Sequence, residues 1–267
     1  MRDLLPRGIP RKPTISIVTP CFNRVWAVQA CIASVRSQVG VDYEHIIVDG
    51  GSTDGTIEVL RAEAASDGRV RFVSQPDDGM YDAVNRGLRM ASGDVLAYLN
   101  TDDFYLAGTF SRVADLFARS PTVSMVYGHW MSWYPATGFL ELLPVNRYTS
   151  TDIATYALLP QPSVFFRRSV FEALDGFDLS YKLVADNEFF SRAVETGFVC
   201  VHLDSFFSVQ TVHSGNLLAG NETAAAQSSA EIDRYRKERR AGSKNGQTGR
   251  SDPVSRVRST LRHKLAK

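Results

Sequence analysis

Apolar runs that resemble buried strands alternate with segments of helical spacing along the first half of the chain. The strand-like runs cover residues 15–19, 44–49, 69–74, 94–100 and 123–128, and the helix-like segments cover 25–38, 54–65, 80–91 and 106–119. Near-continuous apolar strands separated by helices are typical of parallel sheets that helices cover on both faces. The pattern therefore predicts an α/β fold with a mixed, mainly parallel sheet.

The pattern becomes weaker after Gly128, where we expect loops and short strands. Further along, the spacing predicts a strand over 163–168, a helix that ends at Leu174, a helix over 186–195 and a strand over 198–204. The chain is long enough to bury one large core or two modest ones.

The composition indicates a globular protein, since 44% of the 267 residues are hydrophobic. No apolar run approaches the length that crosses a bilayer, and the first residues lack the apolar segment of a secretory signal, so we expect a cytoplasmic location. The three cysteines, Cys21, Cys31 and Cys200, are odd in number and widely spaced. We therefore expect neither a disulfide framework nor a zinc site.

Charge is distributed unevenly, although the formal net charge is only +1. Residues 231–267 contain twelve Lys or Arg and four Asp or Glu, which gives this tail +8 and the preceding 230 residues −7. Val254, Val257, Leu261 and Leu265 would share one side of a short amphipathic helix. The tail is interpreted either as peripheral attachment to an anionic membrane face or as a solvated, partly disordered terminus. The acidic body disfavours binding to nucleic acid.

Four polar stretches lie where predicted elements begin or end. They are TPCFNR after the first strand, DGGSTDGT after the second, DDGMYDAVNRG entering the third helix, and NTDD after the fourth strand. Because the carboxyl ends of parallel strands meet at one edge of a sheet, where ligands bind in open α/β folds, we expect one shared site. Asp54, in the second stretch, is predicted to cap the next helix.

Asp102 and Asp103 form an adjacent carboxylate pair at the end of an apolar strand. Two partly buried carboxylates repel each other, so such a pair usually binds a cation between itself and an anionic ligand. A hard divalent metal that bridges to a pyrophosphate fits this pattern. The alternative is that the pair caps the helix that follows.

Four motifs, in this order and spacing, resemble the family 2 glycosyltransferases: SIVTPCFNR, IIVDGGSTDGT, NRGLRMASGDVLAYLNTDD and ADNEFFSRA. The resemblance extends over about residues 14–215. It implies the GT-A fold, a Rossmann-like sheet flanked by helices in one compact domain. It also divides the chain into a basic arm (1–13), a nucleotide-sugar-binding half (14–128), an acceptor-binding half (129–230) and the tail.

The resemblance implies roles for several residues at the nucleotide end. Pro20 and Phe22 lie where the family lines the base pocket, and Asp49 lies where an aspartate accepts a hydrogen bond from the base. Asp78 and Asn85, followed by Arg86, occupy the segment that approaches the nucleotide or the donor sugar.

The resemblance also implies a divalent metal, Mn²⁺ or Mg²⁺. Asp102 and Asp103 match the family's DxD-type pair, in which the first residue commonly faces the ribose and the second binds the metal. This chain has Thr-Asp-Asp instead of a full Asp-x-Asp, so Asp103 is the firmer metal ligand, with Asp102 as a second. His213 lies where some members supply a further metal ligand or a phosphate contact; a structural or exposed histidine is the alternative.

Asp186, in the motif ADNEFF, matches the family's general base. An inverting transfer needs a carboxylate opposite the leaving pyrophosphate that takes the proton of the acceptor hydroxyl. Glu188 is a neighbouring alternative, although two residues along a helix it should point elsewhere. A further alternative is that Asp186 only caps its helix.

The predicted function is therefore metal-dependent, inverting transfer of a sugar, most simply from a UDP-sugar, to a hydroxyl of a glycan or lipid-linked acceptor. His129, Trp130, Trp133 and Gln161 lie in the segments that the family uses around the acceptor, and core packing is the alternative for the tryptophans. Two other functions fit part of the pattern: a sugar-nucleotide-binding module that has lost catalysis, and a sugar-phosphate nucleotidyltransferase. The second would need a Gly-rich, basic loop after the first strand, which TPCFNR is not.

Overall fold

The computed structural model describes residues 12–155, 159–216 and 222–244 of the 267-residue chain. In these residues the strands are β1 (Ile15–Cys21), β2 (Tyr43–Asp49), β3 (Val70–Ser74), β4 (Val95–Tyr98), β5 (Phe104–Tyr105), β6 (Val123–Tyr134), β7 (Phe139–Leu143), β8 (Val164–Arg167) and β9 (Val199–Thr211). The helices are α1 (Val28–Arg36), α2 (Thr56–Ser66), α3 (Met80–Met90), α4 (Thr109–Arg119), α5 (Ser150–Thr155), α6 (Arg168–Leu174), α7 (Ala185–Glu195) and α8 (Glu222–Lys244).

The strands form one mixed sheet in the order β3-β2-β1-β4-β8-β6-β9-β5, and β7 pairs with the outer part of β6. Strands β1 to β4 are mutually parallel, β8 lies antiparallel between β4 and β6, and β6 is parallel to β9. The predicted α/β fold with a mixed sheet between helices in a single domain is confirmed. The carboxyl ends of β1, β2 and β4 lie side by side, as the strand-end motifs require.

Alternate residues of the central strands enter two apolar layers, one on each face of the sheet. Val18 packs with residues of α3, α6 and α7, whereas Ile17 packs with residues of α1 and α4. All seven residues of β1 are buried, which explains why its sequence is a continuous apolar run.

Helix α3 lies close against β1 because its side chain at position 87 is only a hydrogen atom. A Cβ at Gly87 would lie 2.4 Å from Val18 Cγ1, in a region where Val18 is fully buried. The close approach fixes the first turn of α3, including Tyr81, beside the carboxyl end of the sheet.

Several boundaries differ from the sequence prediction. The predicted helix over 106–119 begins at Thr109, because Phe104–Tyr105 pair with β9 and Gly108 adopts a positive φ of 78°. The predicted helix over 25–38 is shorter, at Val28–Arg36. The predicted strand over 123–128 continues to Tyr134, where it pairs with β7 and with an equally extended β9.

Helix α8 carries the first part of the basic segment and packs against the turn before α7. The Glu231 carboxylate accepts hydrogen bonds from the backbone N–H groups of Lys182 and Leu183, and Arg234 lies over the Tyr181 ring. The predicted amphipathic segment over 254–265 and the arm over 1–11 lie outside the described residues. In the part of the chain that is described, no helix is both long and apolar enough to cross a bilayer.

Candidate active site

A cleft of about 790 Å³ lies at the carboxyl edge of the sheet. The end of β1, the start of α3, the end of β4 and the start of α7 contribute to one side, and residues between β6 and β8 form the other. The predicted site residues that line this cleft are Pro20, Phe22, Asp102, Asp103 and Asp186, together with Trp130 and Gln161. Motifs that are distant in sequence therefore meet in one site.

Asp49 does not line the cleft. Its side chain is completely buried, and its Oδ2 accepts hydrogen bonds from the Gly51 and Ser52 N–H groups and from the Ser74 hydroxyl. Its Oδ1 accepts a hydrogen bond from the Ser52 hydroxyl. These bonds hold the loop between β2 and α2 in place, so in this structure the carboxylate is engaged within the protein.

Asp78 and Asn85 also lie outside the cleft lining. Asp78 is exposed, and its backbone N–H donates to Asp82. Asn85 is buried, and its amide exchanges two hydrogen bonds of 2.9 Å with the backbone of Phe177. Arg86 forms an ion pair with Asp82 and donates to the Pro76 carbonyl. The structure therefore gives Asn85 and Arg86 positioning contacts within the fold.

Asp54 contacts the beginning of α2, although the residue at the cap position is Gly55. Its carboxylate accepts the Thr56 N–H and the Val25 N–H, each at 3.0 Å. Asp54 therefore contacts the first turn of α2 as predicted, but it lies one residue before the observed cap position, Gly55.

Asp102 and His213 contact each other directly. His213 Nδ1 accepts the Gly215 N–H at 3.0 Å, so the proton is assigned to Nε2, which donates to Asp102 Oδ2 at 2.9 Å. Trp26 packs edge-on against the His213 ring. His213 therefore lies beside the acidic pair and bonds to one of its carboxylates. Its role as a metal ligand or phosphate contact stays a prediction.

Asp103 is almost completely buried, with 2% of its surface exposed. Its Oδ1 accepts the Thr211 N–H at 3.0 Å, from the last residue of β9. Burial, and secondly the charge of Asp102, hold the pKa of Asp103 well above its ordinary value. The ionised pair is thus unfavourable until a positive charge reaches it.

The acidic pair is chemically suited to a divalent cation. Two carboxylates are hard oxygen ligands, and the buried side-chain oxygen of the neighbouring Asn100 has no hydrogen-bond partner among the described residues. No group of three or more His, Cys, Asp or Glu within the described ranges is arranged to hold a metal. Cys21, Cys31 and Cys200 are free thiols.

Asp186 lies in the first turn of α7 and faces the cleft. Its Oδ1 accepts hydrogen bonds from the Tyr81 hydroxyl at 3.1 Å and the Asn187 N–H at 2.8 Å, and the Tyr98 hydroxyl lies 3.5 Å from Oδ2. Burial raises the pKa of Asp186 above its ordinary value. Glu188, the neighbouring alternative, forms an ion pair with Arg192 and does not line the cleft.

Tyr81 and Tyr98 are site residues that the sequence analysis did not identify. Burial, followed by the charge of Asp186, raises the pKa of both hydroxyls well above the ordinary value, so both remain protonated donors. Tyr81 belongs to the motif DDGMYDAVNRG and Tyr98 to the strand before the acidic pair. Only their convergence on Asp186 in space indicates a role in the site.

The far wall of the cleft is held by polar contacts under the strand pair β6 and β7. His129 Nδ1 accepts the Val145 N–H at 2.9 Å, and its Nε2 bonds to Asp204 at 2.7 Å. Gln161 Nε2 donates to the Tyr98 carbonyl at 2.7 Å. Trp130 and Gln161 line this wall, whereas His129 does not line the cleft and stabilises the wall through its hydrogen bonds. Trp133 lies away from the cleft and packs against Phe104.

The sequence profile of the family described as Glycosyl transferase family 2 matches residues 16–173. The chain belongs to this family. The glycosyltransferase shares 31% identity over 185 residues with a Mycobacterium bovis protein named PGL/p-HBAD biosynthesis glycosyltransferase, covering 66% of this chain and 68% of that one. The predicted family and enzyme class are confirmed.

Solved structures show the same fold. The mannosyltransferase PcManGT from Pyrobaculum calidifontis, in complex with GDP-Man and Mn²⁺, aligns with a TM-score of 0.66 at 17% identity, covering 96% of this glycosyltransferase and 73% of that chain. S. aureus TarS 1-349 in complex with UDP-GlcNAc aligns with a TM-score of 0.63 at 16% identity, covering 84% and 71%. In a longer TarS structure, the match covers 37% of that chain.

Proposed function

We propose that the chain transfers a sugar from a nucleotide-sugar donor, a UDP-sugar in the simplest case, to a hydroxyl of a glycan or glycolipid acceptor, with inversion and with a divalent metal. One observation carries the proposal: Asp186 faces the same cleft as Asp102 and Asp103. A binding module has no need of a buried carboxylate with raised basicity beside an acidic pair.

The nucleotide binds in residues 14–128 in this proposal, and the acceptor binds against residues 129–230. Phe22 is 56% exposed and lines the cleft with Pro20, so its ring offers an apolar surface on which a base stacks. Asp102 then faces the ribose, and Trp130 offers a ring to the acceptor sugar.

Asp103 and Asp102 would hold the metal, Mn²⁺ or Mg²⁺. When bound, the metal stabilises the negative charge that develops on the departing nucleoside diphosphate. The raised pKa of Asp103 supports this assignment, because a nearby cation removes the cost of a buried carboxylate. His213 holds Asp102 in place through the 2.9 Å hydrogen bond.

Asp186 acts as the general base. It takes the proton of the acceptor hydroxyl while that oxygen attacks the anomeric carbon, and the bond to the diphosphate breaks on the opposite face. Attack from the face opposite the leaving group inverts the configuration. Burial raises the pKa of Asp186, which makes it a stronger proton acceptor than an exposed aspartate, and the Tyr81 hydroxyl fixes the carboxylate in place.

The experiment that tests this proposal has two parts. Purified full-length protein is titrated calorimetrically with UDP, GDP, CDP and dTDP, each with Mn²⁺ and with EDTA; we expect metal-dependent binding of one or two of them. Nuclear magnetic resonance of the product formed from the matching nucleotide-sugar then gives the anomeric configuration, which should be inverted. Retained configuration, or equal binding in EDTA, would contradict the inverting or the metal-dependent part, respectively.

The basic tail would place this reaction at an anionic membrane face in the cytoplasm. Because α8 packs against the body, the test removes only residues 245–267, which contain six Lys or Arg and one Asp. Each basic residue near an anionic surface contributes about 1 kcal/mol. We expect the truncated protein to lose most of its sedimentation with phosphatidylserine vesicles and to keep its turnover of soluble acceptors. Undiminished sedimentation would exclude residues 245–267 as the anchor.

A further inference from the structure

The base end of the cleft contains Asp77, the first residue of the motif DDGMYDAVNRG, to which the family resemblance assigned no role. Asp77, in the loop between β3 and α3, lines the cleft, whereas the motif residue Asp49 is completely buried and bonded within its own loop. A ligand in the cleft can therefore contact the Asp77 side chain without any rearrangement of the loop that Asp49 holds.

Gly50 leaves the space that Asp77 occupies. An ideal Cβ at position 50 would lie 2.8 Å from Asp77 Oδ2 and 3.3 Å from Phe22 Cδ2. The carboxylate and the exposed ring thus lie side by side above the Gly50 backbone. A planar base stacked on Phe22 would have its edge within reach of Asp77 Oδ2.

The loop that carries Asp77 is braced at three points. The Gln75 N–H donates to the Asp49 carbonyl at 2.9 Å, Arg86 donates to the Pro76 carbonyl at 2.9 Å, and the Gly79 N–H donates to Asp77 Oδ1 at 2.9 Å. Asp77 Oδ2 has no hydrogen-bond partner among the described residues. One oxygen is thus fixed by the backbone and the other is available to a ligand.

We propose that Asp77, and not Asp49, determines which nucleotide base the cleft accepts, by accepting a hydrogen bond from a ring N–H of the base stacked on Phe22. The inference rests on the proposed nucleotide-sugar site. An ionised carboxylate is only an acceptor. It therefore favours uracil, thymine and guanine, which carry a ring N–H on the pairing edge, over cytosine, whose ring nitrogen there is itself an acceptor.

The test is calorimetric titration of the full chain with UDP, GDP and CDP in the presence of Mn²⁺. The wild type should bind UDP or GDP at least roughly tenfold more tightly than CDP, as a hydrogen bond to a charged group implies. Asp77→Asn should weaken the affinity for the preferred nucleotide by roughly tenfold or more and bring it close to the affinity for CDP. The reason is that an amide can either donate or accept a hydrogen bond and so does not distinguish the bases.

Gly50→Ala is a second variant that removes no polar group. Its new methyl group displaces the Asp77 carboxylate and presses more weakly on the Phe22 ring, and position 50 has no positive φ that would strain the backbone. It should reduce the preference for the same nucleotide. Asp42→Asn, an exposed change at the opposite end of β2, removes the same charge and should leave all three affinities unaltered.

Four outcomes would overturn the inference. Asp77→Asn could keep the wild-type preference for one nucleotide. Asp49→Asn could abolish that preference in a protein that still folds, which would assign base recognition to Asp49. The wild type could also bind none of the nucleotides, in which case the proposed function fails together with the inference. A wild type that binds CDP as tightly as UDP and GDP contradicts the inference alone.

Discussion

Asp186→Asn should lower kcat by roughly 10²- to 10⁴-fold, the range that general base catalysis contributes. The asparagine keeps the shape of the side chain and can still accept the Tyr81 hydrogen bond of 3.1 Å, but it cannot take a proton at neutral pH. Nucleotide affinity should change by no more than about twofold, because the loss is confined to the transition state. Single-turnover rates and calorimetric titration with the preferred nucleotide measure the two quantities separately.

The pH profile gives a second signature of Asp186. Burial raises the pKa of Asp186. As the pH is lowered, kcat/KM of the wild type should therefore fall with a midpoint above the ordinary pKa of an aspartate, because a protonated carboxylate cannot act as a base. Asp233→Asn, which neutralises an exposed carboxylate on α8, is the matched control and should keep both the rate and the profile. If Asp186→Asn turned over at the wild-type rate, another group would have to be the base.

Asp103→Asn should reduce kcat/KM by roughly 10²- to 10³-fold and abolish the increase in nucleotide affinity that Mn²⁺ provides. The carboxylate is the buried member of the pair, so the variant loses the ligand that is best shielded from water. Titrations with UDP and GDP, with and without Mn²⁺, measure the loss. Metal-dependent binding of wild-type strength in the variant would place the metal elsewhere.

The same variant should not destabilise the protein in the absence of metal. The pKa of Asp103 is raised in the folded state, so the ionised side chain is disfavoured there. As the pH rises above the ordinary pKa of an aspartate, Asp103 therefore lowers the free energy of unfolding. An asparagine removes this cost at neutral pH. Thermal unfolding should therefore give a Tm at least equal to that of the wild type, while the rise in Tm on adding Mn²⁺ and nucleotide disappears.

The sequence was sufficient to predict the sheet and most of the cleft. Strands that are buried on both faces appear as apolar runs, and a parallel arrangement brings their carboxyl ends together, so Asp102, Asp103 and Phe22 could be placed before any coordinates. Asp186 required the family resemblance, because its own segment carries only a helical pattern.

The remaining assignments depend on side-chain direction in loops, which no periodicity encodes. Asp77 and Asp78 are adjacent, yet only Asp77 faces the cleft. Asn85 lies on α3 but turns toward the backbone of Phe177. The extension of β6 was missed for a related reason, since its pairing with β7 and β9 alone decides that the Trp-rich segment is a strand.

The hydrogen bond between Asp103 and Thr211 has a consequence for how the enzyme matures. It joins residues 108 positions apart, and its donor ends β9, the last strand among the described residues. Closing so long a segment is slow compared with forming the local strand and helix units before it. A nascent chain that has not yet released β9 from the ribosome lacks the Thr211 N–H that donates to Asp103. The acidic pair therefore has its full set of hydrogen bonds only after β9 has been synthesised and has paired with β6.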